Sequence, residues 1–256
     1  MNPPLHVAVL GATGRMGRAV LESLAGDSGF MLSGALAASG EGPLRVAGGG
    51  SNPAAISLTS EPDRAVAGAS VAVDFTLPDA LPGNLAACRR AGCAAVVGVT
   101  GLGPKEREAL RDAARDIPVF YAANMSVGVG MLAALARAAA ALLPSGWEAG
   151  LLDVHHSAKR DAPSGTALAL EEAFRSGLAD GTRPVAHGAL RVGDIVGEHT
   201  LWLSGPGERL ELTHRAADRK IFARGALSAA AWLAGRPPGR YGMGDLLGTG
   251  MDTFPS

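Results

Sequence analysis

The stretch "LHVAVLGATGRMGRAVLESLA", residues 5–25, constrains this chain more than any other. A short apolar run ends in glycine, and a helical pattern starts at once, with Met16, Val20, Leu21 and Leu24 on one face. Gly11, Gly14 and Gly17 fall at the turn, spaced G-x-x-G-x-x-G. Glycine permits a tight turn and close backbone approach, and a helix start placed there can receive a pyrophosphate. Arg15 and Arg18 put positive charge at that helix start, which opposes the helix dipole unless an anion sits there. The strand–turn–helix context favours a dinucleotide turn over a tight βα turn that binds nothing.

The next hundred residues repeat the alternation. Apolar runs at 30–37, 69–76, 93–101 and 117–124 are separated by the helical patterns "DALPGNLAACRRAG" and "GPKEREALRDAARD". Strands alternating with such helices predict a parallel sheet covered on both faces. Beyond residue 125 the pattern changes. "SVGVGMLAALARAAAALLP" predicts a long helix capped by Ser126, and "WEAGLLDVHH", "IVGEHTLWLSG" and "ERLELTHRA" predict an open, mixed sheet. Helix returns at 220–235, and the glycine-rich 37–55 reads as a surface loop. The expected fold is therefore α/β: a Rossmann-type parallel-sheet domain plus a second α+β domain with an open mixed sheet.

Composition excludes some classes. A formal net charge of −1 gives no general drive toward nucleic acid or an anionic membrane. Cys88 and Cys93 are too few for a disulfide framework, and no uncharged apolar run reaches about 18 residues. No signal peptide is evident, so a cytoplasmic protein is expected. Of the 23 basic residues only Lys105, Lys159 and Lys220 are lysine. A lysine in a motif then hints at a need for a compact ammonium that arginine does not meet.

Dinucleotide sites commonly place an acidic residue about 20 residues after the glycines to hold the adenosine ribose. Here the region reads "GALAASGEGP", with Ala37 and Ala38 at the expected place and Glu41 a few residues late. A 2′-phosphate is not repelled there, and Ser39, Arg15 or Arg45 are within reach in sequence. NADPH use is permitted and a strict NADH preference is not supported. "GVTG" (98–101) and "AANM" (122–125) close two strands whose carboxyl ends should face the ligand, although plain βα loops look the same in sequence.

"DVHHSAKRDAPSGTA", residues 153–167, is the second concentration of chemistry. His155 and His156 lie on a predicted strand, so they point to opposite faces, and no zinc spacing occurs nearby; no metal is expected. Ser164 suits an N-cap, which aims the amides of Gly165 and Thr166 outward, toward a carboxylate or phosphate. An imidazole, a cation and an anion-binding turn together suit a small anionic substrate that undergoes a protonation step. A polar loop with an ordinary helix cap reads equally well from the residues alone.

The strings "GATGRMGRAV", "VDFT", "GVTG", "AANMSVGVG", "HHSAKRDAPSGTA", "RVGDIVGEHT" and "ERLELTHRA" together resemble the 4-hydroxy-tetrahydrodipicolinate reductase (dihydrodipicolinate reductase) family, over residues 5–250. The resemblance implies a dinucleotide-binding domain of residues 1–125, completed by 219–256, and a substrate-binding and oligomerisation domain of 126–218. It implies NADPH or NADH as cofactor, a small dicarboxylate substrate, and a homotetramer that engages neither nucleic acid nor membrane. It implies that His155 and Lys159 are catalytic, as proton donors or acceptors, and that His156, Gly165 and Thr166 bind the substrate carboxylates. The implied cofactor residues are Gly11, Ala12, Thr13, Gly14, Arg15 and Met16, then Gly98, Val99 and Thr100, then Ala122, Ala123, Asn124 and Met125. The implied reaction is hydride transfer to the heterocycle with protonation and net loss of water, in the diaminopimelate route to lysine. Two rival readings are an amino-acid dehydrogenase of similar plan and a nucleotide-sensing regulator without turnover. The Ala-Pro-Ser-Gly-Thr turn counts against the first, and the lack of a basic helix or obvious extra domain counts against the second.

Overall fold

A computed structural model describes residues 3–39, 42–45, 55–179 and 182–250. The chain divides into two units: one runs to Met125 and resumes at Phe222–Gly242, the other is Ser126–Ile221 and resumes at Met243.

The first unit holds β1 (Leu5–Leu10), α1 (Arg15–Ala25), β2 (Phe30–Leu36), β3 (Gly42–Arg45), β4 (Ala55–Thr59), α2 (Pro62–Val66), β5 (Val71–Asp74), α3 (Leu81–Ala91), β6 (Ala94–Val97), α4 (Pro104–Ala113) and β7 (Pro118–Tyr121). The chain then leaves for the second unit, with α5 (Val127–Ala141), β8 (Glu148–His155), α6 (Gly165–Gly177), β9 (Val185–Arg191), β10 (Gly197–Gly205) and β11 (Glu208–Ala216). It returns through α7 (Lys220–Leu233) and β12 (Gly239–Tyr241) and ends in the short α8 (Met243–Leu246).

The first unit is one eight-stranded sheet in the order β12-β7-β6-β5-β1-β2-β4-β3. Every pairing is parallel except β3 with β4. β5 and β6 are buried along their whole length, as strands covered on both faces must be. One face packs Ala8, Leu10, Ala72, Val97 and Val119 against Val66, Leu85, Cys88 and Leu110 of α2, α3 and α4. On the other face Phe120 meets Trp232 of α7 edge to face, and Trp232 meets Tyr241 of β12 in the same way. Residues 42–45, within the 37–55 stretch expected as a loop, form a strand, and the β4 strand starts at Ala55, the last residue of that stretch. β4 pairs with β2 on one side and β3 on the other, so edge pairing overrides their glycine-rich flanks. The remainder of 40–54, including Glu41, lies outside the described residues.

The order also locates the ligand-binding crevice. From β1 the chain builds outward through β2 and β4, then restarts at β5 on the other side of β1. Ligands of such sheets bind outside the strand carboxyl ends at that reversal.

The second unit is a four-stranded sheet, β11-β10-β8-β9, antiparallel except between β8 and β9. Ala149, Leu151, Leu201 and Leu203 face Ala136, Ala140, Leu170 and Phe174 of α5 and α6. The other face is open, with Trp202 and Leu190 exposed. Residues 243–250, expected with the first unit, group with the second instead, because Met243 and Leu247 of α8 and its end pack on Gly130 of α5. Among the described residues no helix is long and apolar enough to cross a membrane.

Candidate active site

The first unit presents two clefts at the strand carboxyl ends. The turn after β1 is built by backbone: the amides of Gly11 and Ala12 both donate to the Leu36 carbonyl, at 3.0 and 2.8 Å. Gly11 has φ of +83°, and a Cβ there would lie 3.0 Å from the Phe75 carbonyl oxygen. A Cβ on Gly17 would come within 2.1 Å of the Gly11 carbonyl oxygen, so only glycine lets α1 approach the turn. The α1 start has Gly14 as N-cap, with no side-chain cap and no acidic residue in its first turn. Its positive dipole end is therefore left for an external anion.

The larger cleft, about 500 Å³, is lined by Gly11, Thr13 and Gly14, by Leu36–Ala38, and by Phe75, Thr76, Leu77, Asp79 and Asn84. That volume is within the range of small-molecule sites. Two of these lining residues, Thr76 and Asn84, are held by Asp74, which is buried at the end of β5. Asp74 Oδ1 accepts from the Thr76 amide at 2.8 Å and from the Thr76 hydroxyl at 2.6 Å, while Oδ2 accepts from Asn84 Nδ2 at 2.8 Å. Burial pushes the Asp74 pKa up, and the Thr76 and Asn84 donors oppose that shift. The second cleft is lined by Met16, Phe75, Gly98, Val99, Thr100, Ala123, Asn124, Met125 and Phe222. A Cβ at Gly98 would sit 2.2 Å from the Phe75 ring, so Gly98 is what admits that ring, which borders both clefts.

The structure thus brings ten of the thirteen sequence-expected cofactor residues to these clefts. Ala12, Arg15 and Ala122 line neither: Ala12 and Ala122 are buried, and the Arg15 side chain is exposed. After β2, Ala37 is buried, with its amide on the Thr59 carbonyl, whereas Ala38 is exposed and lines the larger cleft. Phe75, Leu77, Asp79 and Asn84 escaped sequence reasoning, since nothing in "VDFT" says which loop side chains face a ligand.

The second unit gathers the other residues. β8 ends at His155, which is 7% exposed, and His156 follows half-buried outside the strand. Asp153, fully buried, lies two residues earlier on the same strand face. Its Oδ2 meets His155 Nδ1 at 3.1 Å and the Arg191 guanidinium at 2.9 Å. Arg191 sits opposite His155 in the β8–β9 register and also donates to the Asp161 carbonyl at 2.6 Å. Burial, then the Lys159 charge, pushes the His155 pKa below the ordinary histidine value, with Asp153 pulling the other way. A Cβ on Gly197 would lie 3.0 Å from His155 Nε2, so this glycine keeps the Nε2 side clear.

Lys159 turns back through its amide to the His156 carbonyl, at 3.0 Å, and its Nζ pairs with Asp161 Oδ2 at 2.8 Å. The Asp161 pKa is held down first by Lys159 and further by the Gly165 amide. An internal carboxylate therefore shares the cation and the helix start. α6 begins as the sequence predicts: Ser164 Oγ accepts from the Ala167 amide at 3.1 Å, Gly165 is exposed, and a Cβ on Gly165 would meet open space. Ser164 Oγ also meets His199 Nε2 at 3.3 Å, and the His199 ring packs edge to face on His155 at 5.1 Å. Burial drives the His199 pKa down to about 4, so this imidazole is neutral near neutral pH. The same device recurs one strand over: His214, directly opposite His199, meets Ser126, whose Oγ caps α5 through the Val129 amide. Asp153, Arg191, Gly197 and His199 were missed as site residues. The signal for Asp153 was available, since i and i+2 on a strand share a face. Among the described residues no group of three or more His, Cys, Asp or Glu is placed to hold a metal ion.

Comparison with known proteins fits this geometry. Two family models match, described as "Dihydrodipicolinate reductase, N-terminus" over residues 5–125 and "Dihydrodipicolinate reductase, C-terminus" over residues 128–247. A 4-hydroxy-tetrahydrodipicolinate reductase of Anaeromyxobacter dehalogenans is 41% identical, covering 94% of this chain and 97% of its own. One of Thiobacillus denitrificans is 43% identical, with 95% and 98% covered. The solved structure of dipicolinate-bound dihydrodipicolinate reductase from Paenisporosarcina sp. TG-14 shares the fold at a TM-score of 0.78, with 19% identity and coverage of 94% and 99%.

Proposed function

The chain belongs to the dihydrodipicolinate reductase family, and from that membership we infer that its reaction is the one named for its relatives, on 4-hydroxy-tetrahydrodipicolinate. It is an NAD(P)H-dependent oxidoreductase that reduces this ring to tetrahydrodipicolinate with loss of water, in the diaminopimelate route of lysine biosynthesis.

The dinucleotide would be held by the first unit. Gly11, Thr13 and Gly14, at an uncapped helix start, suit the pyrophosphate. Met16, Gly98–Thr100 and Ala123–Met125 suit the nicotinamide end. When bound, the reduced nicotinamide supplies the hydride. The wall at Leu36–Ala38 carries no charge, which supports use of both NADPH and NADH.

The dicarboxylate would be held by the second unit. The exposed Gly165 amide, Thr166 and Lys159 offer an anion site, with His156 beside it. His155 donates the proton that matches the hydride, and Lys159 polarises the substrate or donates in turn. The open face of the second sheet, with Trp202 and Leu190 exposed, is the surface we assign to assembly of a homotetramer. We place the enzyme in the cytoplasm with its pathway.

One observation carries this reading: His155, Lys159 and the α6 start occur together within one buried-to-exposed turn. The test mixes the protein with NADPH or NADH and freshly condensed aspartate semialdehyde and pyruvate, and follows the absorbance of the reduced cofactor. Oxidation that requires both protein and condensed substrate is expected. No oxidation with either cofactor refutes it.

A further inference from the structure

His155 has two ring nitrogens, and a proton donor must present the right one. Its Nδ1 faces Asp153 Oδ2 at 3.1 Å inside the unit, and its Nε2 lies on the side kept clear by Gly197. Asp153 has no solvent contact, and its Oδ2 is shared with Arg191 at 2.9 Å. A carboxylate oxygen that already receives a guanidinium only accepts, so Nδ1 must carry a hydrogen. Three further groups face the ring: Lys159 from the following turn, Arg191 from β9 and His199 from β10. None of them accepts a hydrogen bond from Nδ1 in the structure, so the orientation rests on Asp153.

We propose that Asp153 is the positioning residue of the proton-transfer site, fixing His155 as the Nδ1–H tautomer so that Nε2 alone exchanges the proton, with Arg191 holding the carboxylate in place. The step balances simply. The Nε2–H bond of the imidazolium breaks, the proton goes to the substrate carbon, and a neutral imidazole remains with Nδ1–H on Asp153. Asp153 stays a carboxylate throughout, as the buried acid behind a catalytic histidine does elsewhere. The proposal rests on the reading of His155 as proton donor.

Two measurements test it. Nitrogen NMR of the wild-type protein above the His155 titration should show Nδ1 protonated and Nε2 bare; an Nε2–H tautomer overturns the proposal, whatever any variant does. Asp153→Asn should lower kcat about 10²- to 10³-fold while KM for the substrate and Kd for NADPH stay within about threefold. Loss of the anion should also lower the His155 pKa and so move the alkaline limb of the rate profile, where the proton donor is lost, to lower pH. Unchanged kcat and an unchanged limb in Asp153→Asn overturn the proposal. His155→Asn separates the underlying reading: full turnover in that variant removes the proton-donor role of His155 while leaving the wild-type tautomer result standing.

Discussion

Ser164→Ala removes one hydroxyl that serves two partners. The hydroxyl caps α6 through the Ala167 amide at 3.1 Å and meets His199 Nε2 at 3.3 Å. Loss of an N-cap costs about 1 kcal/mol. His199 is 3% exposed and its Nδ1 already has no partner among the described residues, so the change leaves both ring nitrogens unpaired in the interior. Leaving a buried polar group unsatisfied costs about 1–3 kcal/mol. Together these give about 2–4 kcal/mol against the folded start of α6, or roughly 30- to 700-fold. Native-state hydrogen exchange along α6, at Leu170 and Phe174, reads this directly, because both are buried and locked to the sheet. The substrate KM should rise in parallel, as the Gly165 and Thr166 amides lose their fixed direction. Ser164→Thr keeps the hydroxyl and should stay within about threefold of wild type. Acceleration of less than about threefold in Ser164→Ala, with unchanged KM, would refute the argument that one hydroxyl ties the cradle to the sheet.

Three other outcomes are expected. Lys159→Arg keeps the charge but not the compact ammonium, and should lose most of kcat in the cofactor-oxidation assay; near-wild-type turnover denies lysine a special role. Ala38→Asp places a carboxylate on the uncharged wall beside the exposed end of β2 and should favour NADH over NADPH by at least about fivefold, from a like-charge cost of about 1 kcal/mol or more, read as the ratio of the two Kd values. Stability should fall on acidification because of His199. Its folded pKa of about 4 lies below the ordinary 6.5, so the unfolded chain binds the extra proton between those values. The stabilisation is complete above pH 6.5 and is lost as pH falls toward 4, an order of 3 kcal/mol in all. Urea midpoints at neutral and acid pH should therefore diverge more in the wild type than in His199→Asn; equal divergence refutes the assignment.

Much of the architecture was legible because apolar periodicity and glycine spacing are local. The first strand, the glycine turn and α1 follow from residues 5–25 alone, and the caps at Ser126 and Ser164 follow from residue type just ahead of helical runs. The second strand group also showed in its alternation. What stayed hidden depends on long-range partners. β3 and β4 exist through pairing with each other and with β2, which no local pattern encodes. Arg191 reaches Asp153 only because β9 runs parallel beside β8, 38 residues away in sequence. His199 meets Ser164 across 35 residues, so its place in "GEHT" could suggest interest without a role. Ala12, Arg15 and Ala122 show the limit of a contiguous motif, which names residues without their directions: Ala12 and Ala122 are buried and Arg15 is exposed outside both clefts.

The detour of the chain between β7 and α7 has a consequence for how the protein is made. β7 is an inner strand only once β12 pairs with it, through Gly239–Tyr241 against Pro118–Phe120. A ribosome emits β7 more than a hundred residues before β12, so the sheet that begins first is finished last. Throughout that interval β7 is an unpaired edge, open to a wrong strand from a neighbouring nascent chain. The second unit has every strand of its own sheet within one continuous segment and can complete itself during the wait. Truncation just before residue 239 should thus yield a species whose weak point is a sticky sheet border far from the missing residues in sequence.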